Sequence, residues 1–293
     1  MSAGLDPFET LAAALERAPL VGLGEIHWCP AVLEAWCELI ESPALAGSFD
    51  DIVVEFGASQ HQALIDRYIS GENVEDIDAV RRDTLYFLLW SAPVYVRFFE
   101  RIRALNRRRA PHSPLRVVLA EPPVDWRHLD AEAFAAAHRE REARYVECIE
   151  REVLGRGRRA LLIFGLRHLA RAGGSDGDSL AERLLARRPA SITLIHPFHA
   201  QKGLFSVDQL PPAPAYHHMI ATPPGSGVPA DYLWQLGELP RRAALPNNLF
   251  DDPRWLDAAT LRLAGLGKAH IERARGLMSE PQRRLFDHRL ARS

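Results

Sequence analysis

Residues 20–28 read LVGLGEIHW. An apolar run passes directly into Glu25 and His27, with one residue between them. A nearly continuous apolar run of this length suits a strand covered on both faces, because an exposed face would call for alternation. Four more runs share the pattern: DIVVEFG (51–57), LRVVLAE (115–121), ALLIFGL (160–166) and SITLIHPF (191–198). Helical stretches lie between them. PAVLEAWCELIES (30–42) opens on proline, a good first-turn residue. HQALIDRYISG (61–71) stops on glycine, and PVYVRFFERIRALNRRR (93–109) is amphipathic with a basic last turn. DAEAFAAAHREREARYVECIEREVLGRG (130–157) and SLAERLLARR (179–188) complete the set.

Strands alternating with helices predict an α/β fold, a mostly parallel sheet flanked by helices. The segment 59–110 is too long for a simple crossover and reads as a helical insertion capping one end of the sheet. From 203 to 293 the pattern weakens. Prolines cluster in QLPPAPAYHHMIATPPGSGVP, and this part reads as a loop-rich wrap on a single 1–293 domain.

The bulk composition narrows the function. The 293 residues carry 36 basic against 38 acidic side chains, a formal net charge of -2, which argues against nucleic-acid or membrane-surface binding driven by bulk charge. The three cysteines, Cys29, Cys37 and Cys148, are odd in number and lack zinc-ribbon spacing, so no disulfide framework is expected. MSAGLDPFETLAAALERAPL does not have the build of a secretory signal, and no apolar run reaches membrane-span length. The expectation is a soluble, cytoplasmic protein with a small-molecule or peptide substrate.

Ligands of open α/β sheets bind beyond the carboxyl ends of the strands, so the residues that close each strand matter. The first strand closes on Glu25 and His27, which share a side if extended geometry persists through Ile26. The second closes on Glu55, and the third on Glu121 before Pro122-Pro123 and Asp125. The fourth gives Gly165, Arg167, His168 and Arg171, and the fifth His196 and His199. Buried carboxylates need partners, so these groups should pair or bind something. Two chemistries fit: imidazole and carboxylate ligands around a water-activating divalent metal, or a histidine base on water with a glutamate to orient it. Each group also has a structural alternative. Glu25 and His27 suit a satisfied strand end, Glu55 an ion pair with an arginine, and His168 with Arg171 a helix-start pair.

Gly24-Glu25-Ile26-His27 and Gly165-Leu166-Arg167-His168 both have the form G-x-x-H, with Glu55 closing the strand between them. This arrangement is similar to that of the erythromycin esterase / ChaN / Tiki (TraB) superfamily. FDDIVVEFGASQHQALIDRYISGE, FFERIRALNRRR, LRVVLAEPPVDW and ALLIFGLRHLAR resemble an uncharacterised esterase-like branch of that group, over residues 18 to 200. The branches imply different chemistry. The esterase branch implies His27 as a metal-free base, with Glu25 and Glu55 as partners and His168 and Arg171 binding or stabilising the oxyanion. The Tiki branch implies a metal site of His27, Glu55 and His168, and ChaN implies haem binding. The chain departs from the esterase pattern: Glu25 and His27 are two apart rather than three, Gly165 stands where the esterases carry an additional histidine, and Ala120-Glu121 replaces Gly-Asp before the Pro-Pro turn.

The leading expectation is a hydrolase of an ester or amide, with water activated at Glu25, His27, Glu55 and His168, and with Zn, Mn or Fe as a possible metal. Arg171 shares a helix face with His168 on a three-residue spacing and is favoured over Arg167 for the oxyanion, while Arg167, Glu121 and Arg82 are expected to contact substrate. Arg81, Tyr86 and Trp90 of the insertion are expected to shape the same pocket. The alternatives are a haem- or metal-binding protein without catalysis, and a tailoring enzyme of a specialised biosynthetic pathway.

Overall fold

A computed structural model describes residues 4–109, 114–171, 179–198, 218–222, 227–237, 239 and 245–292. In chain order these form α1 (Pro7–Arg17), β1 (Leu20–Glu25), α2 (Pro30–Glu41), β2 (Asp51–Ala58), α3 (Gln62–Ile69), α4 (Ala79–Arg82), α5 (Pro93–Arg108) and β3 (Arg116–Glu121). They continue as α6 (Ala131–Glu152), β4 (Ala160–Gly165), α7 (Leu180–Arg187), β5 (Ile192–Pro197), β6 (Met219–Ala221) and β7 (Tyr232–Trp234). Three helices follow: α8 (Pro253–Leu266), α9 (Lys268–Arg275) and α10 (Glu280–Leu290).

The strands make one sheet in the order β3-β2-β4-β1-β5-β7-β6. Every pairing is parallel except β6 with β7. The predicted mostly parallel α/β sheet flanked by helices is therefore the fold, with all five expected strands in it. Apolar continuity has its cause in two-sided burial, since β1, β2 and β4 are buried at every position. Successive residues serve opposite faces. Ile52, Val54, Leu161 and Ile163 join a cluster with Leu11 of α1, Trp36 of α2, Ile65 of α3 and Phe98 of α5. Val53, Leu162 and Phe164 join the other, with Tyr145 and Ile149 of α6 and Leu184 of α7. Each such fully buried side chain stabilises the fold by roughly 1.5–3 kcal/mol before chain entropy is set against it.

The segment 59–110 does more than cap an end. Its helices α3 and α5 belong to the layer on one face of the sheet, with α1 and α2. The C-terminal part also differs from a loop-rich wrap. Among its described residues, β6 and β7 extend the sheet, and α8–α10 build a cluster of their own from Leu249, Trp255, Leu263, Met278 and Phe286, closed by Phe87 and Leu88. Helix-start chemistry explains these helices. Asp252 caps α8 ahead of Pro253, and Ser279 with Gln282 forms a capping box on α10.

Candidate active site

The strand order brings β2, β4 and β1 side by side, and their carboxyl ends carry the expected groups. The ladder between β2 and β4 stops at Val54↔Ile163. Against β3, the register then advances four residues on β2 for two on β3, from Val54↔Leu119 to Ala58↔Glu121. This bulge turns Glu55 out of the ladder, as bulges beside functional sites do. Glu55 Oε2 accepts the Gly165 N–H at 2.8 Å, satisfying a backbone donor that the ended ladder leaves open.

His27 follows β1 in a turn and faces back onto the strand. Its Nδ1 lies 2.5 Å from Glu25 Oε2, and the Tyr95 hydroxyl donates to Glu25 Oε1 at 3.1 Å. The Trp90 ring meets the imidazole edge-on, 4.8 Å between centroids. Nδ1 being engaged, the other edge of the ring, Cε1 and Nε2, passes over Gly165. A Cβ there would stand 2.7 Å from both atoms and 3.3 Å from Glu55 Oε2, so only glycine admits the imidazole.

His168 occupies the turn after β4, with Nε2 3.1 Å from Glu55 Oε1 and Nδ1 on Glu142 Oε1. Burial alone would lower its pKa, but Glu55 and Glu142 outweigh that and raise it to about 10. His168 is therefore an imidazolium at neutral pH. In return, although burial opposes it, the charges of His168, His27 and Arg141 hold Glu55 well below the usual carboxylate range. His27 is also raised: burial lowers it, and the Glu25 hydrogen bond and the charges of Glu25 and Glu55 overcome that against His168. With 29% of its side chain exposed against 14% for His168, His27 is the more accessible imidazole.

Two residues of α6 complete the centre, and sequence reading missed both. Glu142 holds His168. Arg141 donates from Nη2 to Glu55 at 3.2 Å and to Glu121 at 2.8 Å, while Tyr145 donates to the same Glu121 oxygen. Arg141 also lies over the Tyr86 ring, 4.8 Å from its centroid. The signal for Arg141 and Glu142 was absent because both sit in a helix rich in charged residues, where most charges are solvated.

The other expected site residues are placed as follows. Arg167 is exposed beside His168. Glu121 is fully buried, with Oε2 taken by Arg141 and Tyr145, and so supports Arg141 rather than reaching substrate. Arg82 forms a local ion pair with Asp76 at 2.6 Å, and Arg81 is buried on Asp78 and the carbonyls of Trp90 and Ala92. Arg171 does not share a helix face with His168, because residues 166–169 form a turn and α7 begins only at Leu180. Its guanidinium grips both oxygens of Asp231, which also caps the Leu194 N–H. His196 is buried on the Leu169 carbonyl and lowered to about 4 by burial. Asp125 pairs with Arg127 and His128 in its own exposed turn. His199 lies outside the described residues.

The expected metal set of His27, Glu55 and His168 does not fit this arrangement. Both nitrogens of His168 face carboxylates, Nε2 on Glu55 and Nδ1 on Glu142. Among the described residues no group of three or more His, Cys, Asp or Glu is placed to hold a metal ion. No described helix is long and apolar enough to cross a membrane.

No protein-family model and no curated protein matches the chain. Solved structures do. A succinoglycan biosynthesis protein superposes with a TM-score of 0.49 at 11% identity, over 67% of this chain and 72% of that one. A structure described as bacterial protein toxins gives 0.47 at 18% identity over 67% of this chain, which spans 37% of that chain's length. ChaN of Campylobacter jejuni, described with cofacial haem, gives 0.40 at 12% identity, over 78% of this chain and 92% of that one.

Proposed function

We propose that the chain is a hydrolase of an ester or amide bond in which His27 is the general base that activates water. The observation that supports this reading is the His27–Glu25 pair: an accessible imidazole whose Nδ1 is held at 2.5 Å by a buried carboxylate, itself fixed by Tyr95. That contact leaves Nε2 for the reaction and stabilises the imidazolium that forms. Neutral His27 takes a proton at Nε2 as water attacks the carbonyl carbon, and the carbonyl electron pair moves onto oxygen. Collapse of the tetrahedral intermediate breaks the bond to the alcohol or amine, which leaves with the proton from His27.

Glu55 stays ionised beside Nε2, where it favours the protonated base and can orient the attacking water. His168 supplies a fixed positive charge that keeps Glu55 ionised. With both nitrogens engaged, it is not a second base. Arg167, exposed beside His168, is the cation assigned to the developing oxyanion or an anionic substrate group.

A panel of p-nitrophenyl esters and aminoacyl p-nitroanilides tests the proposal. Turnover by the wild type should fall about 10²-fold or more in His27→Gln, the range in which general-base catalysis contributes. Full activity in His27→Gln, or none in the wild type across the panel, would overturn it. In the second case a Soret band on haem addition would favour binding without catalysis.

A further inference from the structure

We infer that Trp28 is the positioning residue of His27, tying the base to the aromatic wall beside it and to the C-terminal helices. This rests on the reading of His27 as the base. Ile26 to Cys29 form a four-residue turn, closed by the Cys29 N–H on the Ile26 carbonyl at 2.9 Å. Trp28 stands third in that turn with φ +62°. Glycine and asparagine adopt this left-handed conformation readily, and a bulky side chain seldom does. Such residues persist where their surroundings over-determine them, and they gather at functional sites.

The surroundings are explicit. The indole Nε1 donates to the Leu89 carbonyl at 2.5 Å, and the Trp28 N–H donates to the Tyr95 hydroxyl at 3.4 Å. The Tyr95 hydroxyl also donates to Glu25, the partner of His27, and Leu89 adjoins Trp90, whose ring abuts His27. Trp28 thus shares an anchor with each support of the base. Its ring further packs against both the core on the α2 and α5 side and the α8–α10 cluster. A glycine would make this turn without strain and keep the backbone N–H on Tyr95, but it would lose the indole hydrogen bond to Leu89 and the ring packing.

The test is a histidine side-chain NMR titration of the full chain, with the His27 signal assigned by its loss in His27→Gln. The charged and titratable groups that bear on this ring are Glu25 of β1, Glu55 of β2 and His168 after β4, with Tyr95 of α5 behind Glu25. Trp28→Gly keeps the turn and its backbone N–H on Tyr95, and removes the indole hydrogen bond to Leu89 and the ring packing. The His27 midpoint should fall toward the free-imidazole value of about 6.5 as the Glu25 contact loosens. The rate per folded molecule should fall at least about tenfold, mostly in kcat. Trp28→Phe, which removes the indole N–H and keeps a ring, should move both in the same direction by less. An unchanged midpoint and rate in folded Trp28→Gly overturn the inference, and if that variant does not fold, Trp28→Phe is judged by the same criteria. A wild type without hydrolytic activity removes the base reading, while the midpoint still decides whether Trp28 positions the ring.

Discussion

His27 lies so close to Gly165 that a methyl group on the glycine would stand 2.7 Å from both Cε1 and Nε2 of the imidazole. The imidazole that follows β1 and the backbone at the end of β4 are thereby fitted to each other, across the pairing Glu25↔Gly165. Gly165→Ala should force the ring away from its place. A displacement near 1 Å costs about 10²-fold in rate, and overpacking costs about 1–3 kcal/mol of stability. Steady-state kinetics beside a denaturant melt checks both. Wild-type kinetics in the alanine variant would show that the ring tolerates the shift.

The His168–Glu55 pair makes stability depend on pH on both sides of a plateau. The folded pKa of His168, about 10, is above its unfolded value, so its contribution is complete below about 6.5 and is lost as pH rises toward 10. The folded pKa of Glu55 is depressed, so its contribution is complete above about 4.5 and is lost as pH falls through its folded value. Melting temperature should therefore decline from pH 6.5 to 10, and His168→Gln should flatten that alkaline slope. An equal slope in the variant would mean that His168 is not the group responsible.

Arg141 neutralises two buried carboxylates at once, Glu55 at 3.2 Å and Glu121 at 2.8 Å. Arg141→Met would leave both without their guanidinium, and removing one partner of a buried ion pair costs about 3–5 kcal/mol. A urea titration of the variant should show a loss of that order. The double variant Arg141→Met/Glu121→Leu should recover part of it, because the second change removes one stranded charge. A double variant no more stable than the single one would refute the coupling.

The five principal strands and the placement of Glu25, His27 and His168 at or just past strand ends were legible in the sequence, because two-sided burial writes itself as continuous apolar runs and a charge that closes such a run stands out; Glu55 sits instead at a bulge inside β2, which runs on to Ala58. Less was legible where the deciding cause is tertiary. Arg141 and Glu142 look like any solvated pair on α6 until the fold turns them onto Glu55 and His168. The helices α8–α10 carry too many charges among few apolar anchors for periodicity to reveal them. The spacing from His168 to Arg171 suggested a shared helix face only because a helix was assumed there, and the chain makes a turn instead.

That last difference can be measured. Arg171 spends both terminal nitrogens on Asp231, and Asp231 in turn receives the Leu194 N–H of β5 at 2.8 Å. The pair is part-exposed, so its loss should cost about 1 kcal/mol or less. Arg171→Ala should therefore melt slightly earlier and keep kcat within about twofold, whereas Arg167→Ala should lower turnover about tenfold or more if that cation meets the oxyanion. Both variants are read on the best substrate of the ester panel, with thermal melts alongside. A hundredfold loss in Arg171→Ala with an unchanged melt would return Arg171 to the reacting centre and reverse the roles assigned to the two arginines.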